Sequence, residues 1–315
     1  MPTHRAVCLI LWLGNAYRRF LATALAIAGP EIAYAVTGML ARCLYRLLTP
    51  LRVQSEAQCR AALRGRIPAQ RIPFIAKQGF IHRIWNLTDL MLADRLLGPR
   101  TWHRYGGRIP ERDHEALQNA RRRRRPVILV TAYYGPFDLL PIFLGYNGVR
   151  AGVVYRTHEN AAFDDYRRRI RGRSGCELIP LERALGRATE ILEGGGVLAI
   201  VADHHAERGG LPVTFLGLPT MAMRSVALLA WRYDAAVAVA GIRRAGRAFR
   251  FEIVVADVIA PENWTAEADP MAYITNRYLR GLEGIILADP TQYLWAHPRW
   301  GREFARELLH DRPAP

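Results

Sequence analysis

Lysine is almost missing from this 315-residue chain. Lys77 is the only one, so the formal net charge of +16 is carried by arginine. Arginine presents a planar fork of donors that grips phosphate and carboxylate in pairs, which an ammonium group does not do. The surplus points to an acidic partner: nucleic acid, an anionic membrane surface or a phosphorylated substrate. Cysteine is scarce too. Cys8, Cys43, Cys59 and Cys176 show no spacing suited to zinc or to a disulfide framework, so buried thiols in a reducing compartment are expected and no metal site is. Nor is there a run of about 18 uncharged apolar residues, the length a membrane-crossing helix needs. The apolar stretch after Arg5 lacks a small-residue cleavage site before Arg18-Arg19, which argues against a secretory signal. Internal repeats and low-complexity linkers are absent as well.

Half of the residues are apolar, enough for a large core. Residues 1–49 are apolar but interrupted by Arg18-Arg19, Arg42 and Arg46. Two readings fit: helices lying in a membrane interface with arginines toward head groups, or a helical layer packed on a soluble core. The first divides the chain into an N-terminal membrane-associating segment, residues 1–50, and a larger α/β domain, residues 51–309. Within 51–125 the pattern is helical, most regular from Ile75 to Leu97, and Pro99 closes it. Arg121 to Arg125, five arginines in a row, are either a solvated charge run or a site of attraction for lipid phosphates or an acidic protein.

From Pro126 the pattern changes to alternating strands and helices. Val127–Val130 reads as a strand buried on both faces, and Ala151–Arg156, Glu177–Pro180 and Val197–Ala202 as further strands. Helices are expected from about Asp138 to Tyr146, after Asn160 as cap, and from Leu181 to Glu193, which Gly194-Gly195-Gly196 stops. An irregular loop through Gly209-Gly210 and Gly217 should lead to Thr220, capping a helix from Met221 to Tyr233. Ala235–Ile242 and Phe249–Val258 form an antiparallel pair, since only a short turn joins them. Asp269-Pro270 opens a last helix, which Asp289-Pro290 ends. Repeated β-α-β units imply an α/β fold: a mainly parallel sheet with helices on both faces.

Ligands in such sheets sit at the carboxyl ends of the strands. Tyr133 to Asp138 after the first strand and Asp203-His204-His205 after the fourth should therefore share one edge, with Arg156 at the end of the second. A carboxylate, an imidazole and a guanidinium together would make a general base, its orienting group and an anion clamp. Plainer roles stand beside these: Asp138 as a helix-start residue, His204 and His205 as loop residues, Arg156 as the partner of Glu159.

The blocks V-I-L-V-T-A-Y-Y-G-P-F-D, V-V-Y-R-T-H-E-N, L-E-G-G-G-V-L-A-I-V-A-D-H, L-P-V-T-F-L-G-L-P-T and P-T-Q-Y-L-W-A-H-P-R-W, in this order, resemble the bacterial lipid A biosynthesis acyltransferases, relatives of the glycerol-phosphate acyltransferases. The resemblance covers roughly residues 51–302 and extends to the amphipathic amino terminus. It implies acyl transfer from a thioester, carried on acyl carrier protein or coenzyme A, to a lipid hydroxyl at the cytoplasmic face of the inner membrane, with no metal or organic cofactor. The family signature is a histidine, four residues of any kind and an acidic residue. In this chain the acidic member is Asp138, and the histidine position is Tyr133. The family's further acidic residue is matched by Asp203. Arg156 and Arg224 are implied as anion holders, and Thr214 and Gly217 in the turn Val213 to Thr220 as substrate-binding positions.

The tyrosine sets the problem. A phenol is only about 0.1% ionised at pH 7, a poor base. Three outcomes follow: Tyr133 is ionised or donates a hydrogen bond, His204 or His205 supplies the imidazole, or the chain binds lipid without turning it over. Nucleic-acid binding is not expected, because the arginines are not interleaved with aromatics and no recognition motif is present.

Overall fold

The computed structural model describes residues 23–24, 27–115, 125–246 and 249–301. The apolar stretch before Thr23 and the arginines at 121–124 lie outside them.

Chain order makes the fold. Three N-terminal helices, α1 (Pro30–Leu47), α2 (Thr49–Ala62) and α3 (Ile72–Leu96), precede β1 (Val127–Thr131). Then come α4 (Leu140–Tyr146), β2 (Ala151–Tyr155), α5 (Ala161–Gly172), β3 (Glu177–Pro180), α6 (Ala184–Glu193) and β4 (Val197–Val201). A hairpin of β5 (Leu211–Phe215) and β6 (Leu218–Ala222) leads to α7 (Ser225–Arg232). The chain continues through β7 (Ala236–Arg244), β8 (Phe251–Ile259) and α8 (Pro270–Ala288). Six strands form one sheet in the order β3-β2-β4-β1-β7-β8, parallel except for the β7–β8 pair.

Every residue of β1 is buried. Because successive strand side chains point to opposite faces, Val127 and Leu129 enter one core with Leu140, Phe143, Tyr166 and Ile170. Ile128 and Val130 enter the other, with Leu198, Ala227, Leu279 and Ile286. Helices α4 and α5 thus cover one face, and α6, α7 and α8 the other. The helix starts follow the expected chemistry: the Asn160 side chain accepts from Phe163 N–H, and Asp269 from Ala272 N–H ahead of Pro270.

One expectation needs correcting. Residues 211–222 are a two-stranded hairpin rather than an irregular loop, and the helix begins at Ser225 rather than Met221. Leu216 and Gly217 both take positive φ, as a two-residue turn matched to strand twist requires. Pro212 and Pro219 are tolerated because they lie in a ribbon of only two strands, on its exposed side.

The N-terminal helices are pinned by a buried polar cluster. Asp89 of α3 and Arg244 of β7, 0% and 3% exposed at their side chains, form an ion pair. Arg244 also donates to Asn86 (2.8 Å) and to His82 Nδ1 (2.6 Å), while the Tyr34 hydroxyl of α1 donates to Asp89. Burial holds the His82 imidazolium well below its usual range, so the ring is neutral and free to accept. The outward side of α1 is different: Ile32, Val36, Met39, Leu40 and Leu47 are exposed. None of the described helices is long and apolar enough to cross a membrane.

Candidate active site

β1 and β4 run side by side with Thr131 opposite Val201, and Ala202 N–H extends the ladder to Thr131 O (2.8 Å). Their carboxyl ends therefore open on one edge. The segment 292–295 closes that edge from the other side. Gly135 N–H donates to Gln292 O (3.0 Å), Leu294 N–H to Tyr133 O (3.1 Å), and Tyr134 bridges Tyr293. Gly135 has φ +56°, and a Cβ there would stand 2.0 Å from Ile242 O, so only glycine passes.

Between these walls stand Tyr133, His204 and His297, their ring centroids 4.9, 5.1 and 5.2 Å apart, with Phe137 at 4.9 Å from Tyr133 on its outer side. Beneath them Asp203 is buried, and its Oδ2 accepts from Tyr133 N–H and from the Tyr293 hydroxyl, each at 3.1 Å. Burial pushes the Tyr133 phenol up to about 12, with the Asp203 and Asp138 carboxylates adding to the shift and Arg156 and Arg167 opposing it. It stays protonated at neutral pH. It is a hydrogen-bond donor there. Burial lowers both imidazoles, His297 to about 4, and Arg299 pushes the same way while Asp203 opposes it. Both rings are neutral at pH 7 and able to accept a proton.

Asp138 is placed differently from the orienting role implied by the family signature. It sits on the short turn before α4 and meets Arg167 Nη2 at 3.1 Å and Arg171 Nε at 3.4 Å, both from α5. No hydrogen bond joins it to an imidazole among the described residues. Of the arginines on and just after α5, Arg167 and Arg171 turn inward, while Arg168, Arg169 and Arg173 are exposed, Arg168 pairing with Asp165 and Arg173 donating to Ala93 O (2.9 Å). Arg156 is exposed at the end of β2, and its charge acts on both His204 and Tyr133.

His205 faces away, into the hairpin. Its Nδ1 lies 3.1 Å from Thr220 Oγ1, and its backbone bridges Ala222. Thr214, Gly217 and Arg224 are exposed on or just after that hairpin, and no hydrogen bond, ion pair or ring contact among the described residues links them to the Tyr133 cluster. Behind it lies Arg299, fully buried, its guanidinium 4.5 Å over Phe215 and its Nη1 3.3 Å from Thr220 Oγ1. Beside Phe137 an apolar crevice runs between α4 and the strand ends, lined by Leu140, Leu144, Val153 and Ala199, with Arg171 at its polar side.

Reading the sequence for strand ends misses His297, because it follows no strand. The signal was there in the block Q-Y-L-W-A-H-P-R-W, unused as a source of imidazole.

The arrangement holds a buried carboxylate, two neutral imidazoles, a protonated phenol and an exposed guanidinium at one sheet edge, a set able to move a proton beside an anionic group. No curated protein sequence matches the chain. A family profile described as bacterial lipid A biosynthesis acyltransferase matches residues 8–302, most of its length. The chain belongs to the bacterial lipid A biosynthesis acyltransferase family.

Proposed function

We propose that this protein moves a fatty acyl group from a thioester to a hydroxyl of a phosphorylated or otherwise acidic glycolipid, working at the cytoplasmic face of the inner membrane. One observation carries the reading. Where the family signature has its histidine, this chain has Tyr133, and two imidazoles from elsewhere in the sequence, His204 and His297, abut that tyrosine. The proton acceptor that the reaction needs has moved rather than vanished.

The division of labour follows from charge and burial. An imidazole takes the proton of the attacking hydroxyl. The Tyr133 phenol donates to the oxygen that becomes negative as the thioester carbonyl is attacked. Arg156, exposed beside the rings, holds an anionic head group, and Arg224 extends the cationic rim. Thr214 and Gly217 of the exposed hairpin contact the substrate away from the ring cluster. The donor is acyl carrier protein or a coenzyme A thioester, and neither metal nor organic cofactor enters. The exposed apolar face of α1 supports contact with a membrane, its arginines Arg42 and Arg46 reaching anionic head groups.

A second reading, a lipid binder without turnover, has one observation in its favour: Asp138 is held by Arg167 and Arg171 and touches no imidazole. The two are separated by lipid mass profiles of cells with and without the intact gene, together with thioester consumption by the full-length protein in anionic vesicles. Transfer predicts one lipid class short of one acyl chain, and loss of turnover in Asp138→Ala, His204→Ala or Tyr133→Phe. Identical lipid profiles and no ester product would leave only the binder.

A further inference from the structure

The two imidazoles against Tyr133 have unlike surroundings. His204 directly follows Asp203, and that carboxylate is the largest charge favouring its imidazolium, as it is for His297. His204 has no enclosed, unpartnered ring nitrogen.

His297 comes from a separate segment, fixed to β1 by the Leu294–Tyr133 hydrogen bond. Its Nδ1 is enclosed and has no hydrogen-bond partner among the described residues, whereas its Nε2 is not enclosed in this way. Asp203 has the matching deficit: Oδ2 is doubly engaged, and Oδ1 is enclosed and unpartnered. Asp203 is also the principal opposite charge acting on His297. An orphaned inner nitrogen near a buried carboxylate whose own inner oxygen is also orphaned, with the other nitrogen less enclosed, is a pairing a general base can use, because such a carboxylate fixes the tautomer and stabilises the imidazolium that forms. The inner contact is open as it stands, as such bonds often are before substrate tightens them.

We propose that His297 is the general base of this chain, oriented by Asp203, and that the pair replaces the histidine whose place Tyr133 has taken. The assignment rests on the acyl-transfer reading above. Nε2 of His297 removes the acceptor's O–H proton as the oxygen attacks the thioester carbonyl. The tetrahedral adduct then collapses, the C–S bond breaks, and the leaving sulfur takes the same proton from the imidazolium. The products are an ester and a free thiol, and His297 ends as it began.

The charged and titratable groups facing His297 are Asp203, His204, Tyr133, Arg299 and Arg83. Arg83 stands one helical turn beyond Gly79, whose own position on α3 packs against Tyr293 O. Of these only Asp203 favours the imidazolium. With burial and three cationic or ionisable neighbours opposing it, the ring protonates at about 4 rather than near 6.5.

The test is kinetic and uses the full-length protein in vesicles with an acyl thioester and its lipid acceptor. His297→Gln should lower kcat by about 10²–10⁴, the range a lost general base produces, with KM little changed. His205→Gln, a change in the hairpin, should keep near-normal turnover. The wild-type rate should stay flat down to about pH 5 and fall as His297 protonates, and His297→Gln should lose that acid limb. Two results overturn the assignment while leaving acyl transfer standing: an active wild type with His297→Gln retaining a third or more of kcat, or an acid limb unmoved by that variant. A wild type with no transfer at all overturns the base together with the functional reading.

Discussion

Replacing Asp89 with alanine should unfasten the N-terminal helices from the sheet. The carboxylate is fully buried and paired with Arg244, which is itself 3% exposed. Truncation leaves the guanidinium with Asn86 and His82 as its neutral partners, and the Tyr34 hydroxyl loses its acceptor. Breaking one side of a buried pair costs about 3–5 kcal/mol, because a charge is left uncompensated out of water. A domain has only about 5–15 kcal/mol in all. The replacement of both partners, Asp89→Leu with Arg244→Met, removes the stranded charge and should cost far less than the two single changes summed. Urea unfolding followed by tryptophan fluorescence is a suitable assay, since the Trp85 ring lies 5.7 Å from the guanidinium carbon of Arg244 and contacts both Tyr34 and His82. A loss below about 1 kcal/mol for Asp89→Ala, or a double variant worse than the sum, would show that the pair is not what secures α1 and α3.

Gly79→Ala puts a Cβ 2.5 Å from Tyr293 O, and overpacking of that kind costs about 1–3 kcal/mol; because Tyr293 leads into His297, turnover should fall with stability, read by thermal melting beside the rate. Tyr133→Phe keeps the ring and removes the donor, so kcat should drop by about 10²–10³ if the phenol serves the developing oxyanion, with the melting temperature nearly unchanged. Stability should decrease as pH falls from 6.5 toward 4: the folded chain holds His82, His204, His205 and His297 neutral below their ordinary pKa while the unfolded chain takes up protons. A urea midpoint that does not move between pH 7 and pH 5 would contradict this. Val36→Asp with Leu40→Asp should reduce flotation with anionic vesicles, and a melting temperature equal to that of the wild type would assign the loss to the surface rather than to unfolding.

Much of the sheet could be read in advance because buried parallel strands declare themselves as short unbroken apolar runs. β1, β2 and β4 lie where Val127, Ala151 and Val197 begin such runs, β3 follows from the shorter Leu178-Ile179 pair, and the Asn160 and Asp269 caps fixed two helix starts. The β5–β6 hairpin was obscured by Pro212 and Pro219, which weaken any strand signal unless the ribbon is known to have an open side. The shared edge of the site followed from strand order alone: Tyr133 and His204 do meet. What could not be read was the segment after α8. It has no period and no cap of its own past Asp289, and its course is set by hydrogen bonds to Tyr133 and Gly135, contacts spanning about half the chain. Likewise Arg167 and Arg171 of α5 point at Asp138, a contact between elements that the sequence of α5 alone does not announce.

That late segment has a consequence for synthesis. A ribosome that has delivered everything up to α8 has built the sheet and the phenol, yet the ring from position 297 is still to come. The nascent protein can close its core while the edge beside Tyr133 still lacks the segment whose hydrogen bonds to Tyr133 and Gly135 wall it in.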